Sequence, residues 1–112
     1  MSSPTSSTTP LITADELLAR GDVGRCELID GRIVEMSPTG WEHGRVVATI
    51  TLIVAAFVRL HKLGVTSGAE TGFVLARDPD RVRAPDVAFV RAGRVPPTGF
   101  AGFFQGAWRV PR

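Results

Sequence analysis

The sequence has few of the features that mark secreted, membrane-bound or strongly nucleic-acid-binding proteins. Among its 112 residues Cys26 is the only cysteine, so no internal disulfide can form and nothing indicates an oxidising compartment. Residues 1–10 are rich in Ser, Thr and Pro but lack the basic and apolar segments of a signal peptide. Thirteen Lys and Arg against eleven Asp and Glu leave a net charge of only +2, which alone does not indicate nucleic acid. We expect a cytoplasmic protein with a disordered tail over residues 1–10.

Long apolar runs are also lacking, with one borderline case at residues 46–58. Arg45 and Arg59 bound only 13 residues there, whereas a membrane span needs about 20. A strand is usually nearer 5 or 6 residues, so the run is too long for one strand. The pattern therefore predicts a core helix from residue 41 to about residue 62. One stripe of this helix is expected to face the sheet: His43, Val47, Ile50, Val54 and Phe57.

Shorter elements are predicted on either side of the long helix. Thr13 can cap a short helix with Glu16 as its capping-box partner, and Gly21 can end that helix. The dipeptide Asp30-Gly31 predicts a two-residue turn and hence a β-hairpin. Further strands are predicted at residues 65–67, 71–76 and 87–90, with a turn at residues 78–80 and loop from residue 93, where Phe100, Phe103 and Phe104 can contact the core.

These elements predict one small domain of the α/β (α+β) class, with a mixed sheet flanked by helices. A hydrophobic fraction of 44% with 21% charged residues is ordinary for a soluble globular protein, which favours a compact fold.

Asp86 is the first candidate for chemistry because Pro85 places it before a short apolar strand. A carboxylate at the end of a strand is held rigidly, and divalent cations prefer fixed oxygen ligands. The alternative is structural, since an aspartate in this position can also bond to nearby backbone N–H groups. The residues alone leave both interpretations open.

Five short motifs follow one another at compatible spacing. They are Glu27-Leu28-Ile29-Asp30-Gly31, Met36-Ser37-Pro38, His43 at the start of the long helix, Gly68-Ala69-Glu70-Thr71-Gly72 and Pro85-Asp86-Val87. Together they resemble the Uma-type restriction endonucleases, a branch of the PD-(D/E)XK nuclease superfamily, over about residues 11–107. The resemblance implies a restriction-endonuclease-like fold that hydrolyses DNA with a divalent metal, usually Mg²⁺. It also implies that Asp86 is the metal-binding aspartate.

The same resemblance implies a role for the start of the long helix. His43 matches a histidine of the family and could orient a water molecule or pair with a carboxylate. Glu42 could instead serve as the helix glutamate of the superfamily. Adjacent helical residues point about 100° apart, so only one of the two is expected to face the metal, and we favour His43. Glu27 and Glu70 are secondary candidates because such residues are more often solvent-facing or salt-bridged.

The sequence departs from the family after residue 90. Relatives carry Glu-x-Lys on a following strand, whereas the only lysine here is Lys62, on the long helix. Residues 108–112 no longer follow the family, which predicts a domain that is partial over residues 11–107 and incomplete at its C-terminus. We therefore expect weak Mg²⁺ binding and weak or absent cleavage of DNA.

A non-catalytic remnant that binds nucleic acid or protein is the alternative function. It is suggested by the basic half of the chain, which carries arginines at positions 77, 81, 83, 91, 94, 109 and 112. No membrane partner is expected. A homodimer is possible, because a sheet that lacks its next strand exposes an edge.

Overall fold

The computed structural model describes residues 10–21 and 25–105. The predictions for residues 1–9 and 108–112 lie outside this part of the chain. The helices and strands follow in the order α1 Ala14–Ala19, β1 Cys26–Ile29, β2 Arg32–Glu35, α2 Trp41–Leu60, β3 Gly64–Ser67, β4 Phe73–Ala76, β5 Arg81–Arg83 and β6 Ala88–Arg91.

Helix α1 is held at its N-terminus by the predicted capping box. The Thr13 hydroxyl oxygen accepts a hydrogen bond from the backbone N–H of Glu16 at 3.1 Å. The Glu16 carboxylate in turn accepts the N–H of Thr13 at 2.8 Å, so two N–H groups without a helical partner are satisfied. Gly21 has a φ of 73°, as expected of a glycine just beyond a helix.

The β1–β2 hairpin is also confirmed. Ile29 pairs with Arg32, which leaves Asp30 and Gly31 as the two loop residues. Their φ values of 50° and 82° are the positive values that a type I′ turn requires at both positions. A side chain at residue 31 would also be blocked, because its Cβ would lie 2.8 Å from Cβ of Leu11.

A four-stranded antiparallel sheet forms the larger layer, in the order β2-β1-β5-β4. Strand β5 was not predicted, because its sequence Arg-Val-Arg has only one apolar residue and therefore shows no alternating pattern. Pairing on both sides nevertheless buries Val82, and each flanking arginine forms an ion pair with a carboxylate, Arg81 with Asp30 and Arg83 with Glu27. The predicted turn at residues 78–80 joins β4 to this strand.

Strands β3 and β6 form a separate two-stranded antiparallel sheet, with Gly64 opposite Arg91 and Ser67 opposite Ala88. A parallel bridge joins Phe73 of β4 to Phe104 beyond β6. Helices combined with these sheets confirm the predicted α+β class.

The hydrophobic core lies between α1 and the four-stranded sheet. It consists of Ala14, Leu17, Leu28, Val74 and Val82. Of the three phenylalanines expected to contact it, Phe103 packs on this cluster and the Phe104 ring lies 5.2 Å from that of Phe73. Phe100 remains 51% exposed.

Helix α2 packs against β3, and Val58 is its one buried residue. The expectation that a whole stripe of α2 faces the sheet is wrong for Ile50 and Phe57, which are 46% and 56% exposed. The two-stranded sheet is too small to cover a 20-residue helix along its length. The prediction that the apolar run is too short for a membrane span does not hold for the whole helix: the 20-residue α2 is long and apolar enough to cross a membrane, and 6% of its apolar window is buried.

Candidate functional site

The two leading candidates from the sequence lie in direct contact. The Nε2 atom of His43 is 3.0 Å from Oδ2 of Asp86, although the two residues are 43 positions apart in the chain. Both side chains are about half-exposed, so a ligand can reach them from solvent. A carboxylate that contacts an imidazole nitrogen orients the ring and fixes which nitrogen carries the hydrogen-bonded proton.

Each of these side chains is placed by the start of an element. His43 lies in the first turn of α2, behind the cap residue Gly40. Asp86 follows Pro85 and lies two residues before β6. Because α2 packs on β3 and β3 pairs with β6, these contacts bring the first turn of the helix to the segment that precedes β6.

Arg25 completes the site and was missed by the sequence analysis. Its Nη2 atom lies 3.3 Å from Oδ1 of Asp86, on the oxygen that His43 does not contact. The register Leu28 opposite Val82, continued along the antiparallel pair, brings residue 25 opposite residue 85. The signal was therefore in the pairing of β1 with β5, and β5 itself was not recognised.

The other acidic candidates lie elsewhere. Glu42 points to Arg45, one turn further along α2, and its side chain is 71% exposed. Glu27 is buried: one of its oxygens contacts Nε of Arg83 at 2.9 Å and the other accepts the N–H of Ala84 at 2.8 Å. Glu70 is exposed in the loop that precedes β4. No described contact joins any of the three to Asp86.

Thiol chemistry is not favoured at the neighbouring Cys26. Burial raises the pKa of this thiol, and the negative charges of Glu35 and Glu27 raise it further. A raised pKa keeps the thiol protonated at neutral pH, whereas a nucleophilic cysteine must be a thiolate.

The donor set does not fit a divalent cation. Both oxygens of Asp86 are engaged, one of them by the positively charged Arg25. Within residues 10–21 and 25–105, no group of three or more His, Cys, Asp or Glu side chains could hold a metal ion. Mg²⁺ needs oxygen ligands in a near-octahedral arrangement, which one or two carboxylates supply together with water and substrate phosphates. The expected metal-binding role of Asp86 thus stays a prediction that the geometry around it does not favour.

An open groove is separate from the trio formed by Arg25, His43 and Asp86. It has a volume of about 700 Å³ and lies between β6 and the β4–β5 side of the larger sheet. Its lining includes Phe73, Leu75, Phe89 and Val90, with Arg91 and Arg94 nearby, but neither His43 nor Asp86. The candidate site is therefore placed at Arg25, His43 and Asp86 because of the residue types that meet there, and not because of the size of a cavity.

An α+β fold with a carboxylate ahead of a strand and a histidine at a helix start agrees with the restriction-endonuclease-like fold class predicted from the sequence. The family model of Uma2, described as "Putative restriction endonuclease", matches residues 14–107. This match covers most of the chain, and the chain belongs to the Uma2 family. The description implies DNA as the substrate of the family, and such endonucleases generally use a divalent metal. A comparison with curated proteins gave no match.

Proposed function

We propose that this chain is a restriction-endonuclease-type domain that engages DNA at Arg25, His43 and Asp86 and hydrolyses it weakly or not at all. The observation that carries the proposal is the 3.0 Å contact between His43 and Asp86 in a chain of this family. His43 and Asp86 are far apart in the sequence, and both were predicted from it to be site residues. In the fold they are in contact at a solvent-accessible position. A cytoplasmic location, where DNA is accessible, is part of the same proposal.

Each side chain of the trio has a distinct part in engaging a phosphodiester. The imidazole of His43 donates a hydrogen bond to Asp86 and can hold or transfer a proton at its ring nitrogens. Asp86 orients the ring through that bond. Arg25 brings a permanent positive charge to the same point, and guanidinium groups suit phosphate oxygens in charge and geometry.

Weak hydrolysis follows from what the site does not contain. The 112 residues hold no Glu-x-Lys sequence, and the one lysine, Lys62, follows α2 at the end opposite His43. Among the described residues Asp86 is the one carboxylate in contact with His43 or Arg25. A divalent cation would have one protein carboxylate here, and that carboxylate already has two partners.

Plasmid cleavage tests the catalytic part of the proposal. Supercoiled DNA incubated with the protein and Mg²⁺ or Mn²⁺ should show little or no nicking, and Asp86→Ala should remove any that is present. Asp30→Ala is a matched control, because Asp30 is also an exposed aspartate paired with an arginine. Rapid cutting that Asp86→Ala abolishes would contradict weak hydrolysis, while cutting that both variants retain would place the activity elsewhere.

A non-catalytic nucleic-acid-binding protein is the second candidate function, suggested by the arginines after residue 76. Three of them are already paired in the fold: Arg77 with Asp80, Arg81 with Asp30 and Arg83 with Glu27. This pairing reduces the positive charge that is available for phosphates. The affinity for duplex DNA should fall steeply as salt rises if phosphate contacts dominate. An affinity that hardly changes between low and high salt would exclude this mode of binding.

A further inference from the structure

The Asp86 carboxylate, the oxygen donor that a metal would use here, already has a positively charged protein partner. Arg25 holds Oδ1 at 3.3 Å while His43 holds Oδ2 at 3.0 Å. The partners come from different parts of the fold, Arg25 from the residue before β1 and His43 from α2. Their approach from two sides leaves neither carboxylate oxygen without a hydrogen-bond partner.

Arg25 is held in this position more firmly than a surface arginine. Its side chain is only 22% exposed, against 41% for Asp86. Its Nε is buried and has no hydrogen-bond partner, so the stem is enclosed while the terminal nitrogen reaches Asp86. A buried N–H without a partner is unfavourable, so some other contact must keep the side chain there, and the carboxylate is the one that the geometry supplies.

The nearest acidic residue on α2 does not compensate for the positive charge of Arg25. Glu42 directly precedes His43, but its carboxylate is paired with Arg45. The electrostatic balance at the site is therefore one aspartate against one arginine, with an imidazole alongside. A divalent cation entering this arrangement meets a fixed positive charge within a few ångströms of its only carboxylate ligand.

We propose that Arg25 is the built-in counter-cation of Asp86 and that it keeps divalent cations out of the site in the free protein. This inference rests on the proposed function, in which Asp86 belongs to the DNA-engaging site. Arg25 then determines which ligand the site accepts: it opposes a metal cation and favours a phosphate anion. A purely supporting role for Arg25, as a residue that holds Asp86 in place, predicts the opposite effect on metal binding.

The two roles predict opposite changes in Mn²⁺ affinity when Arg25 is replaced, so a binding measurement distinguishes them. Manganese is titrated into the full chain, without DNA, and free Mn²⁺ is followed by electron paramagnetic resonance. The wild-type protein should bind Mn²⁺ weakly, and Arg25→Gln should tighten binding about tenfold or more, because a unit charge about 5 Å from a divalent ion opposes it by that factor even in water. Arg25→Lys keeps the charge and should stay weak. Arg81→Gln is the matched control, because Arg81 is also paired with an exposed aspartate, Asp30. It should leave the affinity for Mn²⁺ unchanged.

Two further variants secure the interpretation. Arg25→Met keeps an apolar stem in the enclosed position, so it provides the same charge removal if Arg25→Gln folds poorly. Asp86→Asn combined with Arg25→Gln should lose the gain in affinity. The proposal is overturned if folded Arg25→Gln and Arg25→Met bind Mn²⁺ no more tightly than wild type. It is equally overturned if the gain survives Asp86→Asn, or if wild type already binds tightly.

The Mn²⁺ measurement is independent of the proposed function. If neither DNA binding nor cleavage depends on Asp86, the proposed function fails while the effect of Arg25 on Mn²⁺ affinity is still measured. If Asp86 matters for DNA but Arg25→Gln does not tighten Mn²⁺ binding, only the counter-cation inference fails.

Discussion

Asp80 is a buried charged residue that ties the loop after β4 to the start of α1. Its carboxylate accepts the N–H of Ala14 at 2.7 Å and that of Asp78 at 3.1 Å, and it contacts Arg77 at 3.3 Å. Burial raises the pKa of Asp80, but these two hydrogen bonds and the positive charge of Arg77 outweigh that effect and lower the pKa below its ordinary value. The charged form is therefore the one that stabilises the fold.

Replacing this carboxylate should destabilise the protein. Asp80→Asn removes the charge and one of the two acceptor oxygens, so one of the N–H groups of Ala14 and Asp78 loses its acceptor, and we expect a loss on the order of 3 kcal/mol in the free energy of unfolding. In the wild type the contribution of Asp80 is fully present above the unfolded-state pKa of about 3.9 and is lost as pH falls through the lower folded-state pKa. Urea denaturation at pH 7 and at pH 3 measures both effects. Asp30→Asn, at an exposed pair, should cost little at either pH, and an equal loss from the two variants would refute the role of Asp80.

At the scale of single residues, the sequence predicted the site residues that have a local sequence signature. Pro85-Asp86 and the start of the long helix were identified, and the structure brings Asp86 and His43 together while Glu42 pairs with Arg45. The catalytic roles of these residues stay predictions. Arg25 could not be found in the same way, because its contact depends on how two distant strands pair, and one sequence does not give that information.

Gly64 sets the geometry of the small sheet at the scale of single elements. It begins β3 with a φ of 158°, opposite Arg91 of β6, and a Cβ added to it would lie 2.0 Å from the carbonyl oxygen of Val90. No side chain fits at that distance, so the two strands would have to separate.

Gly64→Ala should therefore disrupt the pairing of β3 with β6. We expect a loss on the order of 2 kcal/mol in the free energy of unfolding, the usual cost of forcing extra volume into a packed position. Thermal or urea denaturation followed by circular dichroism measures this loss. Gly68→Ala is the control, since a Cβ there has nothing within 4 Å. Similar stabilities for the two variants would show that the strands adjust to the added methyl group.

Elements with a local signature were predicted well, and those that depend on pairing were not. The capping box at Thr13 and Glu16 and the turn at Asp30-Gly31 each follow from a few adjacent residues. Strand β5 has no such signature, because only its central Val82 is apolar and its burial comes from neighbours on both sides. The exposure of α2 was missed because its apolar residues are typical of a helix that packs against a sheet. The sequence of the helix does not show whether a sheet large enough to cover it is present.

At the scale of the whole molecule, α2 leaves a large apolar surface exposed. Leu52, Ile53 and Leu60 are 70%, 62% and 76% exposed. The radius of gyration is 16.2 Å, whereas a compact domain of this length has about 13 Å, so the molecule is less compact than a fully packed domain. Exposed apolar patches of this kind favour association.

The protein should therefore self-associate through α2, a different surface from the sheet edge on which the possible homodimer was based in the sequence analysis. Sedimentation velocity at micromolar concentrations should show dimers or larger species, and Leu52→Glu with Leu60→Glu should shift the distribution to monomer. Leu18→Glu, on the 41% exposed Leu18 of α1, is the control and should leave the distribution unchanged. A wild-type protein that sediments as a monomer at these concentrations would show that α2 does not drive association.

The division of the fold has a consequence for how the site can move. The buried cluster is drawn from α1 and the four-stranded sheet, whereas His43 is carried by α2 and Asp86 leads into β6. A local opening of the part that holds His43 and Asp86 would not expose the buried cluster to water. Its free-energy cost would therefore be far smaller than that of global unfolding. Arg25 directly precedes β1, so its contact with Asp86 ties the two parts together and is among the contacts that such an opening would have to break.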